Sequence, residues 1–202
     1  MIQTVIFDLG GVIVPLDFPR LYGKLASHCD VPAEEIPRRI AETGWVGQLE
    51  SGQMPAGEFT GRIVELLGLR APESDFRDLW SSLFPGHTLL PESLMEGVKK
   101  HHRLLLLSNT NAIHFGMVRE NYPLLRHFDH FVLSHEVGAM KPSPVIYRAA
   151  IEAAGCRAED CFFTDDVPAY VEGARKAGIR SERFESYEQI TALFDEIGVG
   201  WR

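Results

Sequence analysis

Long apolar runs are missing from this chain. Its longest unbroken aliphatic stretch is Leu104-Leu105-Leu106-Leu107, whereas a helix crossing a bilayer needs about 20 apolar residues. A helical membrane span is therefore excluded. Cysteine is scarce: Cys29, Cys156 and Cys161 are the three present, and no Cys-x-x-Cys pair occurs. Neither a disulfide framework nor a zinc knuckle is expected, and the three thiols should be reduced and partly buried. Basic residues are outnumbered, 20 against 28 acidic ones, leaving a formal charge of −8. That sign argues against a nucleic-acid surface and suits a soluble protein. The N-terminus lacks a basic segment followed by an apolar one, so no export signal is expected and a cytoplasmic location is. Internal repeats and low-complexity tracts are also missing.

What remains is room for one α/β domain carrying a sizeable insertion in 202 residues. Short apolar runs at 4–7, 103–107 and 161–163 are bounded by polar residues and read as buried parallel strands, with weaker candidates at 130–133 and 179–184. Amphipathic helices lie between them. Pro91 opens one that runs to about His102, and Ser143-Pro144 opens another that Gly155 closes. A third starts at Pro168 and stops at Gly178, and a last one covers about 186–197. Strand alternating with helix implies a parallel sheet. The segment 17–85 breaks this rhythm. It holds helical patterns only, with Pro32, Pro37, Pro55 and Pro72 marking helix starts. The expected fold is thus α/β: a Rossmann-like parallel-sheet core (1–16 and 86–202) with an inserted all-helical cap subdomain (17–85) covering the strand ends.

Four short constellations sit where such a sheet would gather them. The run Val5-Ile6-Phe7-Asp8-Leu9-Gly10-Gly11-Val12 carries a strand into one carboxylate and then into a glycine turn. Open α/β sheets place their chemistry at such strand ends, where a carboxylate serves as nucleophile or metal ligand. After the second strong strand, Ser108-Asn109-Thr110-Asn111 offers a hydroxyl and free backbone N–H groups to an anion, although such turns are commonly helix caps. Lys141, before Pro142, could offset negative charge, although an isolated Lys-Pro is ordinarily a solvated loop. Strongest is Phe162-Phe163-Thr164-Asp165-Asp166. Adjacent carboxylates at a buried strand end repel unless a cation lies between them or one is protonated, and magnesium suits hard carboxylate oxygens beside a phosphate.

In order and placement these elements resemble the haloacid dehalogenase-like (HAD) hydrolases across nearly the whole chain. Asp8 matches the first motif, Ser108 the second, Lys141 the third and Asp165-Asp166 the fourth. The contexts are most similar to a bacterial group that includes α-D-glucose-1-phosphate phosphatases. The resemblance implies a Mg²⁺-dependent phosphatase of small phosphorylated metabolites, with sugar phosphates foremost. Asp8 would be the nucleophile that forms an aspartyl-phosphate. Mg²⁺ would be held by Asp8, the Gly10 carbonyl and Asp166, with Asp165 direct or through water. Ser108 and the backbone N–H groups near Leu9 and Asn109 would bind the phosphate, and Lys141 would pair with Asp8 and with phosphate.

Two positions depart from the family pattern. Most of its phosphatases carry an Asp general acid/base where this chain has Gly10, and losing such a group costs on the order of 10²–10⁴ in rate. Asp17 and His114 are the side chains that could substitute, although Asp17 would ordinarily cap a helix and His114 would ordinarily sit on an exposed helix face. The second departure is Tyr170, where many relatives have Asn or Asp. Competing readings are a 2-haloacid dehalogenase, which lacks paired acids like Asp165-Asp166, and a non-catalytic binding protein that kept the fold. His101, His102, His127 and His130 are scattered without metal-site spacing and read as surface groups. Trp45, Phe59, Phe76 and Trp80 are expected to pack the helical insert.

Overall fold

The computed structural model describes residues 1–72 and 75–202. Five strands, β1 (Thr4–Phe7), β2 (Arg103–Ser108), β3 (His130–Leu133), β4 (Cys161–Asp165) and β5 (Arg180–Arg183), form one sheet in the order β3-β2-β1-β4-β5. Every pairing is parallel, with Phe7 opposite Leu106 on one side and Thr164 on the other. The chain builds outward from β1 to β3, then returns to place β4 against β1. The strand order therefore reverses beside β1, and the crevice outside the strand C-termini at such a switch is where open α/β sheets hold ligands.

Between β1 and β2 the described residues contain only helices. These are α1 (Phe18–Ala26), α2 (Ile36–Thr43), α3 (Trp45–Glu50), α4 (Ala56–Leu67) and α5 (Phe76–Trp80), followed by a 3₁₀ turn. α6 (Glu92–Lys99) leads into β2; α7 (Ala112–Asn121) and α8 (Ser134–Val137) flank β3; α9 (Pro144–Ala154), α10 (Pro168–Lys176) and α11 (Tyr187–Ile197) complete the chain. Local chemistry explains the boundaries. Asp17, Asn111, Ser143 and Ser186 accept backbone N–H bonds at the starts of α1, α7, α9 and α11, while Gly155 ends α9 in the left-handed conformation. Pro37 and Pro55 stand at helix starts as expected, whereas Pro32 opens only a turn. The residues following Pro72 lie partly outside those described. α6 stops three residues short of His102, since Lys100 already caps it.

Alternating strand residues feed two apolar layers. Val5, Phe7, Leu104, Leu106 and Phe162 join α6, α11 and the inserted helices; Ile6, Leu105, Leu107, Val132 and Phe163 join α9 and α10. Phe7 meets Phe128 and Phe194 edge to face at 6.3 and 6.2 Å. Phe59, Phe76 and Trp80 stack inside the insert as expected. The cysteines are free, two of them buried, with Cys156 and Cys161 sulfurs 3.5 Å apart.

Two histidines depart from the surface reading. His102 ties both ends of the chain, its ring bonded to the Ile2 carbonyl and accepting the Gly200 N–H. His127 lies half-buried against Glu92. Both were hidden from periodicity because their partners are far away in sequence.

Phe7 is fully buried, so truncation to Ala should lower the unfolding free energy by about 3–5 kcal/mol. Urea denaturation measures this, and a loss below about 1 kcal/mol would contradict the packing described.

Candidate active site

Asp8 leaves the end of β1 with its backbone N–H bonded to the Thr164 carbonyl at 3.1 Å, so β1 and β4 together set its position. Its side chain meets the Lys141 ammonium at 2.8 Å. Lys141 also donates to Asp165 Oδ2 at 2.5 Å and to the Leu107 carbonyl at 3.1 Å. The three ammonium hydrogens thus have three acceptors, one from the end of each of three neighbouring strands. With its side chain 1 % exposed, Lys141 is the opposite of a solvated loop residue. It stands between Asp8 and Asp165 and leaves Asp166 unpaired by it. The aromatic faces of Phe163 and Tyr170 lie 5.5 and 5.1 Å from the ammonium. Tyr170, the departure noted in the sequence, therefore borders the lysine.

Asn109 fixes the lysine's backbone. Its side-chain carbonyl accepts the Lys141 N–H at 2.7 Å and its amide donates to the Lys141 carbonyl at 3.1 Å. This reciprocal pair was not visible from the sequence, where only the Asn109 N–H was considered. Thr110 is held by Ser134, whose hydroxyl accepts the Thr110 N–H and donates to its carbonyl. Ser108 is buried at the end of β2, and its hydroxyl makes only a 3.5 Å contact to the Asn109 carbonyl, which leaves it available to a ligand.

The other two acids differ in their surroundings. Asp165 has no solvent exposure, and both oxygens are engaged, Oδ2 by Lys141 and Oδ1 by the Val167 N–H at 2.9 Å. Asp166 is half-buried and lies against Gly11, whose positive φ of 78° and missing Cβ make room for the carboxylate. Ligand atoms of Asp8, Asp165 and Asp166 all fall within 4.8 Å of one another. Burial pushes the Asp8 carboxyl up to about 7; Lys141 works against this and Asp165 adds to it. Burial and then Asp165 likewise raise Asp166. Burial opposes the charge on Lys141, but Asp8 and Asp165 outweigh it and raise its pKa. Three carboxylates against one ammonium leave an excess of two negative charges in a desolvated place. Oxygen-only ligands with that excess fit a hard divalent cation.

Beside this cluster opens a cavity of about 230 Å³, lined at its base by Leu9, Gly10, Ser108 and Asn109 and otherwise mostly by apolar side chains of the inserted helices. A Cβ at Gly10 would stand 3.0 Å from Leu16 Cδ1, so Leu16 fills the space beside Gly10. Asp17 caps α1 by accepting the Arg20 N–H at 2.9 Å. His114 is buried, correcting the expected exposed position, because α7 turns it toward Trp80, against which it stacks at 5.7 Å. Nδ1 accepts from Asn111 at 3.2 Å and Nε2 donates to the Trp80 carbonyl at 3.2 Å. Burial pushes its pKa down to about 4. Glu50, at the end of α3, lines the cavity as well. No periodicity or spacing singles it out.

Comparison with known proteins gives a consistent picture. The family model described as haloacid dehalogenase-like hydrolase matches residues 2–178. A D-ribitol-5-phosphate phosphatase of Bacteroides thetaiotaomicron is 26 % identical over all of this chain and 96 % of its own length. The Mycobacterium tuberculosis phosphatase MT3486 is 30 % identical over 89 % of this chain and 86 % of its own. A HAD family enzyme from Bacteroides thetaiotaomicron, solved in complex with magnesium and inorganic phosphate, superposes with a TM-score of 0.83 at 27 % identity, covering 96 % of this chain and 100 % of that one.

Replacing Lys141 by Met should leave Asp8 and Asp165 buried without their cation, at a cost of about 3–5 kcal/mol. Carboxyls stranded in this way have raised folded-state pKa values, so the folded protein takes up protons more readily than the unfolded chain. The deficit should therefore shrink as pH falls. Chemical denaturation in EDTA at about pH 8 and about pH 5 tests the sign; a deficit that grows on acidification would refute the assignment.

Proposed function

The chain belongs to the haloacid dehalogenase-like hydrolases, and we propose that it is a Mg²⁺-dependent phosphatase of small phosphorylated metabolites, sugar and polyol phosphates foremost. The observation that carries this reading is the cluster of Asp8, Asp165 and Asp166 around a single ammonium, beside a small cavity with the free Ser108 hydroxyl at its base. The two named relatives are phosphatases, and the magnesium and phosphate complex belongs to a close structural neighbour. Halide displacement needs no such excess of carboxylates. A phosphate dianion could not approach them without further positive charge.

In this reading Mg²⁺, when bound by Asp8, Asp166 and the Gly10 carbonyl, supplies the charge that lets phosphate approach. Asp165, with both oxygens occupied, serves chiefly by holding Lys141. Asp8 attacks phosphorus in line, its oxygen forming the new bond as the ester oxygen leaves. Lys141 opposes the burial that raises Asp8, favouring its ionised form, and neutralises charge on the phosphoryl oxygens. Ser108 and the N–H groups of Leu9 and Asn109 donate to those oxygens. Water then attacks the aspartyl-phosphate and releases phosphate. The helices of 17–85 act as a cap whose apolar walls exclude bulk water and select the ester. The narrow cavity suits a substrate of a few carbons rather than a nucleotide.

Phosphate release from p-nitrophenyl phosphate and from a panel of sugar and polyol phosphates, with Mg²⁺ and with EDTA, tests this directly. Activity should require the metal, and Asp8→Asn should reduce it to background. An Asp8→Asn protein as active as the parent would end the proposal.

A further inference from the structure

The proposed chemistry lacks one part. The leaving oxygen needs a proton, and Gly10 has no side chain to supply it. Asp17 is committed to the start of α1, and His114 has both ring nitrogens bonded and is neutral. From its placement in the cavity we propose that Glu50, carried on the inserted helices, is the general acid/base of this enzyme. The assignment rests on the phosphatase reading above and deepens it.

Three observations support it. First, Glu50 lines the same cavity as Gly10, Leu16, Ser108 and Asn109, and it supplies the only carboxyl group in that lining among the described residues. Second, the carboxyl is half-buried yet makes no hydrogen bond or ion pair with any described residue, and burial alone pushes its pKa up to about 7. An acid that is protonated near neutrality and whose conjugate base forms readily is what the two half-reactions require. Third, its helix is held onto the sheet domain. A Cβ at Gly52, two residues beyond Glu50, would overlap the His135 carbonyl oxygen, so only glycine lets this turn lie against α8. α8 in turn is tied by Ser134 and His135 to Thr110, next to the phosphate-facing Asn109.

Charged groups on the elements packed around α3 leave Glu50 alone. On α2, Arg39 pairs with Glu35 and Arg38 with Glu42; on α4, Arg62 pairs with Glu58, and Glu65 is exposed. On α8, His135 bonds to the Thr110 carbonyl and Glu136 is exposed. Across the cavity stand Tyr22, whose pKa burial raises, and the neutral His114. None of these would hold Glu50 ionised.

In the first half-reaction the Asp8–phosphorus bond forms and the ester P–O bond breaks, and the Glu50 proton passes to the leaving oxygen to give the alcohol. In the second, water adds to phosphorus as the Asp8–phosphorus bond breaks. The Glu50 carboxylate takes the water proton, and inorganic phosphate is released with the acid restored.

The test is kcat/KM for Glu50→Gln and the parent on aryl phosphates whose leaving groups run from p-nitrophenol to unsubstituted phenol, with Mg²⁺. These esters carry no sugar hydroxyls, so loss of a hydroxyl contact would not register. The variant should hydrolyse p-nitrophenyl phosphate within about 3-fold of the parent and phenyl phosphate about 10²-fold or more slower, steepening the dependence on leaving-group acidity. The parent should lose activity on phenyl phosphate as pH rises through neutrality, and the variant should not show that limb. An amide in place of a protonated carboxyl should leave the thermal midpoint and the affinity for inorganic phosphate unchanged, which verifies the fold. An active parent whose Glu50→Gln variant slows every aryl ester equally, or none, overturns the Glu50 assignment alone. A parent inactive on every ester overturns the phosphatase reading and this one with it.

Discussion

The Lys141 ammonium is the interaction on which the site depends. Each of its three hydrogens is claimed, by Asp8 just after β1, by the Leu107 carbonyl near the end of β2 and by Asp165 at the end of β4. Burying an ammonium costs several kcal/mol unless good partners surround it. Here the partners are supplied by three neighbouring strands, so the register of the sheet fixes the position of the charge. Asn109 completes the hold by pairing with both backbone groups of the lysine. The sheet thereby carries out two tasks with one set of atoms. It joins its strand ends, and it keeps a carboxylate that burial would neutralise close to ionisation at neutral pH.

The same electrostatics explain why the cluster is incomplete by itself. One ammonium balances one of three carboxylates, and the raised pKa values of Asp8 and Asp166 record the imbalance. Asp166 makes no ion pair among the described residues, and Gly11 leaves room for its carboxylate within 4.8 Å of a ligand atom of Asp8. A glycine with positive φ at this position is thus part of the site, since a side chain there would displace the acid.

Much of the architecture was legible from local patterns. The three central strands lie where short apolar runs bounded by polar residues placed them, because parallel strands buried on both faces leave continuous apolar signatures; the outer strands β3 and β5 fall within the weaker candidates at 130–133 and 179–184, β5 being mostly exposed and polar. Helix starts followed from Pro and from capping Ser, Asp and Asn. The acids and Lys141 were legible as strand-end and loop residues, and the structure places Asp8, Ser108, Asn109, Asp165 and Asp166 at the C-terminal ends of β1, β2 and β4, with Lys141 reaching them from the loop after α8. Contacts between residues distant in sequence were not legible. The burial of His114, the link of His102 to both termini, the Asn109–Lys141 pairing and the place of Glu50 all depend on tertiary packing, which no window of neighbouring residues encodes.

Gly10 and Leu16 show how far this coupling extends. Leu16 lies close against Gly10, its Cδ1 3.0 Å from where a Cβ would stand, and it also forms part of the cavity wall. A side chain there would require the flexible end of a half-exposed leucine to give by a few tenths of an ångström, so position 10 and the apolar lining meet at one residue. An apolar wall disfavours water and raises the pKa of any carboxyl facing it. Glu50 on the inserted helices is subject to that effect, and burial raises Asp8 as well, with Lys141 opposing it. Two carboxyls, Glu50 in the cavity lining and Asp8 beside it, are thus distinguished by their neighbours. Burial raises both to about 7, but a cation faces Asp8 and none pairs with Glu50 among the described residues.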